Sequence, residues 1–343
     1  MTQPEPTHAE WAALYQAATA FKQLAPWQWM LDSATFGVQN PEDGEIDYCS
    51  IMGQLGEHFA LGVYRGSAGL NGYLQIQAGE FDPPDITALY VQKCLMASFE
   101  DRDFLEKPDL AIIKAQGLKF RGRNAWPLFR NYEPGYLPWF VTSGEARFLT
   151  LALQQALDVG QRYRDNPLLL DPPRAGTYMV RVADASGAWQ DTWRAPKPLP
   201  DDEPEIPQFD ELRAERIKRQ ITAREGMWDV DMLMLPDAVR GDDGGRPFFP
   251  YIFLWVDRQS GMVLPPQIAP PEDYRAMLQT TLLDMIEQAG FAPQEIGALT
   301  TQPLDLLGPL GARLGIKLRH ARNLPGLEHA RAGLVGYFLE DAE

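Results

Sequence analysis

The sequence predicts two folded units, an α+β unit first and an α/β unit with a mixed five-stranded sheet in the last third of the chain. Three observations predict this. At 343 residues the chain is longer than the ~150 residues of an ordinary domain. Prolines 196, 198, 200, 204 and 207 stand among acids in PKPLPDDEPEIPQFD, a stretch that stiffens toward polyproline geometry and holds too little apolar area to fold alone. Beyond it the hydrophobic period alternates between two and three to four residues in a regular order. The expected divisions are 1–195 for the α+β unit, 196–225 for an acidic Pro-rich linker and connecting helix, and 226–343 for the α/β unit.

In the first unit, residues 8–24 read as an amphipathic helix, with Trp11, Leu14, Ala18 and Phe21 on one face, Thr7 as cap and Pro26 as stop. Short β-prone runs at 35–39, 46–52 and 59–64 alternate with the turns NPEDG and GQLGE, predicting an antiparallel meander. Residues 67–77 predict a short helix and 89–99 an apolar, strand-like or mixed run. LAIIKA (110–115) is expected to be a strand, followed by the aromatic and proline-rich NAWPLFRNYEPGYLPWF. A long helix over 144–163, with Phe148, Leu151, Leu153, Ala156 and Leu157 spaced by threes and fours, precedes a hairpin at 177–195 turning at SG.

In the last third, 211–224 reads as a charged helix. Strands are expected in MWDVDMLMLP, PYIFLWVD and MVLPPQIA, the first two separated by a DDGG loop and the last two by an RQSG turn. A helix over 271–289 opens on PPED, acids suiting the positive end of its dipole. Strand EIGALTT, helix 304–314, strand IKLRHAR and a helix from Pro325 to about Leu339 complete the order β-β-β-α-β-α-β-α. Parallel strands need helical crossovers, so this order makes a mixed sheet with helices on its faces.

Composition narrows the function. The net charge of −16 argues against broad nucleic-acid or anionic-membrane binding, because like charges repel. No apolar run approaches the ~18 residues of a membrane span, and the start, MTQPEPTHAEW, has no apolar stretch of a signal peptide. A soluble cytoplasmic protein is expected. Cys49 and Cys94, in apolar surroundings, read as small core residues and not as a disulfide or a metal site.

The last third resembles the RNase H-like fold of ribonucleases H, retroviral-type integrases and transposases. The carrying pieces are WDVD on the first strand, VDRQSG after the second, LGIKL before the last, and NLPGLEHARAGL. The whole chain is also similar to an uncharacterised bacterial family of domains of unknown function, through PWQWM, FGVQNPEDGEIDYCSIMGQLGEHFALGVYRG, AWPLFRNYEPGYLPWF with SGEARFL, and FPYIFLWVDRQSGMVL. That second resemblance implies no activity. The first implies carboxylates holding two divalent metals for phosphodiester chemistry. Asp231, with Asp229 two positions away on the same face, matches the first acid, and Glu328 matches the acid of the last helix. Where the fourth strand ends, Thr300 and Thr301 stand in place of an aspartate, and Asp305 lies in the next helix. Residues 226–343 hold nine Lys and Arg against sixteen Asp and Glu, an odd surface for a nuclease.

A second group lies in the first unit. Lys114, Lys119, Arg121, Arg123 and Arg130 come without an intervening acid, interleaved with Phe120, Trp126, Phe129, Tyr132, Tyr136 and Trp139. Lys119, Arg121, Arg123, Trp126 and Arg130 are the binding candidates, fit to pair with phosphates while aromatics stack, or to grip an acidic peptide. The competing and favoured reading makes the aromatics core and the bases a solvated rim. His8, His58, His320 and His329 are scattered without ligand spacing, and His58 with Glu57 lacks a nucleophile. Neither a nucleophile elbow nor a phosphate loop is present, and the glycines of GQLGE and YRGSAGLNG read as turns. The expectation is a non-catalytic binding or regulatory protein with a degenerate RNase H-like domain, no cofactor, no membrane and an anionic or protein partner at 114–140. The alternative is a divergent metal-dependent nuclease or phosphotransfer enzyme, which would need magnesium.

Overall fold

The computed structural model describes residues 4–80, 86–199, 206–221, 223–241 and 245–340. The chain divides into two compact units, residues 1–199 and 200–343. The prolines at 200 and 204, and positions 242–244 of the DDGG loop, lie outside the described residues.

The first unit is built on a seven-stranded sheet. Its helices are α1 (His8–Leu24), α2 (Gly66–Gln77), α3 (Lys107–Ala115) and α4 (Ser143–Asp165), and its strands β1 (Phe36–Gln39), β2 (Ile46–Met52), β3 (Phe59–Tyr64), β4 (Cys94–Glu100), β5 (Trp126–Tyr132), β6 (Tyr178–Ala183) and β7 (Trp189–Arg194). The strand order is β5-β4-β3-β2-β1-β6-β7. All pairs are antiparallel except β1 with β6, which the α4 crossover makes parallel. On one face Leu14, Phe21, Leu149, Leu153 and Ala156 from α1 and α4 close over Phe36, Ile51, Leu61 and Leu95. On the other, Leu70 and Tyr73 of α2 cover Tyr48, Tyr64 and Met96. Thr7 caps α1 as expected: the Glu10 amide donates to its hydroxyl and the Glu10 carboxylate accepts from its backbone N–H at 2.7 Å. Cys49 and Cys94 are free and buried, and burial pushes the Cys94 thiol up to about 12.

Two expectations are corrected here. LAIIKA is helical, not a strand: it belongs to α3, whose start is set by Pro108 and by the Glu106 amide donating to Asp109. The glycines of YRGSAGLNG are not all turn residues. Gly66, at φ 59°, makes the bend that opens α2, but Gly69 and Gly72 sit in the body of the helix. A Cβ on them would come within 2.5 Å of the Lys93 carbonyl oxygen and 2.2 Å of that of Val91, so they let the helix lie on the chain that enters β4.

The second unit comprises α5 (Glu211–Gln220), β8 (Met227–Met234), β9 (Tyr251–Asp257), β10 (Gln267–Ala269), α6 (Tyr274–Ala289), β11 (Glu295–Ala298), α7 (Gln302–Leu314), β12 (Lys317–His320) and α8 (Pro325–Glu340). Its strand order is β10-β9-β8-β11-β12. The pairs β8–β9 and β9–β10 are antiparallel, and β8–β11 and β11–β12 are parallel. Trp228, Val230, Phe253 and Trp255 face α6 and α7, packing on Leu278, Leu282, Leu306 and Leu310. Leu254 and Val256 face α8 through Leu324 and Leu327. Helix α5, which the sequence reading placed in the connecting segment, buries Ala214 and Ile217 in this unit's core. Its Arg213 is paired with Asp284 and Glu287 of α6. The PPED acids fall in the turn before α6 and not in its first turn. No helix among the described residues is long and apolar enough to cross a membrane.

Candidate functional site

Strand β8 alternates, so Trp228 and Val230 point to one face and Asp229 and Asp231 to the other, under α8. Both carboxylates are buried, 1% and 2% exposed, a costly place for charge unless it is answered. Asp229 is answered by Arg258, which follows β9 and brings its Nε to 2.9 and 3.2 Å from the two carboxylate oxygens. Arg258 also donates to Glu295 at the start of β11 (2.9 Å), and Lys317 and Arg319 of β12 reach the same carboxylate. These cations, Arg258 first, hold the Glu295 carboxyl below its ordinary range. Gly297 pairs with Asp229 across the sheet, and a Cβ there would lie 2.5 Å from the Arg258 guanidinium and 2.7 Å from Asp229 Oδ1. The glycine keeps room for the ion pair.

Asp231 is held more loosely. Its Oδ1 accepts from the Met232 amide at 2.9 Å, and its Oδ2 is buried with no hydrogen bond. Arg331 of α8 stands 3.5 Å from Oδ2 but is half-exposed. Burial outweighs that attraction and raises the Asp231 pKa.

The structure therefore brings Asp229 and Asp231 to one face of β8, and Glu328, in the first turn of α8, is exposed. Thr301 precedes α7 and Asp305 is exposed in its first turn. Asp257 accepts from the Ser260 amide and hydroxyl, closing the RQSG turn, and those bonds hold its carboxyl below the usual range against the opposing effect of burial. Among the described residues no group of three His, Cys, Asp or Glu is placed to hold a metal ion. The orphaned Asp231 oxygen is what an ion would satisfy, yet an arginine and not a second carboxylate approaches it, so the residues present do not fit a two-metal centre. Arg258, Glu295 and Arg331 were missed by the sequence reading.

In the first unit the basic group splits. Arg130 does not belong to a binding surface. It is 6% exposed, donates to both oxygens of Asp109 (2.9 and 2.7 Å) and to Glu106 (3.2 Å), and stacks 4.5 Å from the Phe140 ring centroid. The sequence run hid these acids because they lie at the start of α3, ahead of it in the chain. Lys114, Lys119, Arg121 and Arg123 are exposed. Phe129 is core, whereas Phe120, Trp126 and Trp139 are half-buried. His58 stands 3.7 Å from Glu100 at the surface. His320 Nε2 lies 2.9 Å from the Leu299 carbonyl.

Residues 11–181 match the model of a domain of unknown function, DUF7309, and residues 213–335 match that of a second, DUF6930. Between them the two matches take in most of the chain. The carboxylate pair thus lies in the DUF6930 part and the basic group in the DUF7309 part. No curated protein matches the chain. Among solved structures, the catalytic core domain of BIV integrase is similar at 15% identity and a TM-score of 0.22, over 31% of this chain. The match spans 62% of that domain's length.

Proposed function

We propose that the protein is a non-catalytic binding or regulatory protein whose second unit is an RNase H-like scaffold without metal chemistry. The fold assignment is supported by the order β10-β9-β8-β11-β12, three antiparallel strands continued by two parallel ones, with crossover helices α6 and α7 and a last helix behind the first strand. The observation that carries the functional part is the pairing of Asp229 with Arg258 and the approach of Arg331 to Asp231. In such a scaffold these positions would hold cations, and here guanidinium groups supply the positive charge. A metal would have to displace Arg258 from a forked ion pair and leave that guanidinium without its partner. The test is incubation of the full chain with single- and double-stranded DNA and RNA in magnesium or manganese. No cleavage is expected; cleavage lost in Asp231→Asn would overturn the reading.

A further inference from the structure

The first unit carries a groove that the fold itself does not require. It is about 400 Å³ in volume and is lined by Lys22 of α1, Phe99 of β4, Pro127 of β5, and Lys119, Phe120 and Arg121 of the segment between α3 and β5. That segment is held in place at several points. Asn124, in the left-handed region at φ 48°, donates its amide to Asp101 at 2.7 Å and offers its carbonyl to the Lys22 ammonium. Phe120 stacks on Tyr15 and meets Trp126 edge-on, each at 6.0 Å between centroids. Lys22 is half-buried, 5.3 Å from the centre of the Phe99 ring, and burial lowers its pKa. Among the described residues no carboxylate pairs with Lys22, Lys119 or Arg121. Arg123 beside them is 91% exposed and only loosely near Asp101, at 3.8 Å. In a chain of net charge −16, three cations left without acids around one preformed groove mark a place for an anion.

We propose that this groove binds a small organic phosphate, one or two phosphate groups on a flat apolar body, as in a nucleoside mono- or diphosphate. Its volume falls within the ~300–1,000 Å³ of small-molecule sites, which are apolar with a few placed polar groups. Lysine and arginine give the charge-assisted bonds that a phosphate accepts. Phe120, half-buried, supplies the apolar wall for the body of the ligand, over the buried Phe99 and Pro127. A long polyanion is disfavoured by the chain's net charge of −16, which opposes phosphates beyond the one or two that the groove holds. The proposal rests on the reading of the chain as a binding protein and names the class of what it binds.

Calorimetric titration of the full chain with ADP, AMP, adenosine, inorganic pyrophosphate and a twelve-residue oligothymidylate tests it. ADP should bind with a Kd below ~1 mM, more tightly than adenosine, and more weakly as salt is raised. The double variant Lys119→Glu/Arg121→Glu should weaken ADP by about tenfold or more, with Lys119→Gln/Arg121→Gln losing less. Lys218→Glu, on α5 of the other unit, should change nothing. Absence of binding by every phosphate probe, or equal binding by wild type and the double variant, would overturn the site. Tighter binding of the oligonucleotide than of ADP would replace the small-ligand class by a polynucleotide. ADP bound at the groove and then hydrolysed would instead contradict the non-catalytic reading and leave the site standing.

Discussion

Asp47 is a carboxylate that the fold pushes toward its neutral form. It accepts from the Gly66 amide at 2.8 Å and lies 2.9 Å from Arg65, but burial prevails and raises its pKa to about 6. The folded-state value lies above the ~3.9 of an unfolded aspartate, so protons favour the native state. This contribution is complete below ~3.9 and is lost as pH rises through about 6. Urea unfolding of wild type and Asp47→Asn should show the wild type losing about 2–3 kcal/mol relative to the variant between pH 4 and pH 7. A difference that stays flat or grows over that range would contradict this account. Arg130 is the opposite case, a cation whose removal strands Asp109, 6% exposed. Arg130→Ala should cost about 3–5 kcal/mol in chemical denaturation. A cost under ~1 kcal/mol would return it to the solvated rim.

At the scale of elements, α2 depends on two residues without side chains. Gly72→Ala sets a methyl group 2.2 Å from the Val91 carbonyl, and backbone cannot rotate away as a side chain can. It should lower stability by roughly 1–3 kcal/mol. Gly144→Ala in α4 meets only the tip of Arg147, at 3.7 Å, and should raise stability by about 0.5–1 kcal/mol. Melting temperatures moving in the same direction for both would contradict the packing argument. The elements that were legible in sequence are those whose period runs long enough to choose between helix and strand, such as α1, α4, β8 and β9. LAIIKA was too short for that choice, and the decisive signs were the Pro108 and Asp109 of its first turn. The side-by-side placement of Asp229 and Asp231 follows from a period of two and was legible. Their arginine partners were not, because Arg258 and Arg331 reach them from the turn after β9 and from α8 only after the sheet has formed.

At the scale of the whole molecule, two domains of unknown function share one strongly acidic chain, and its chemistry-bearing residues divide between them. In the DUF6930 part the acids are turned inward against arginines; in the DUF7309 part three cations remain around a groove. The central claim is that guanidinium groups answer the buried carboxylates of β8 and leave no place there for a metal. A ligand that binds only the folded state must raise its melting temperature. The most direct measurement is the melting temperature of the full chain with and without millimolar manganese, for wild type and Asp231→Asn. The account predicts no manganese-dependent rise in either protein. A rise of several degrees in the wild type that disappears in Asp231→Asn would contradict it.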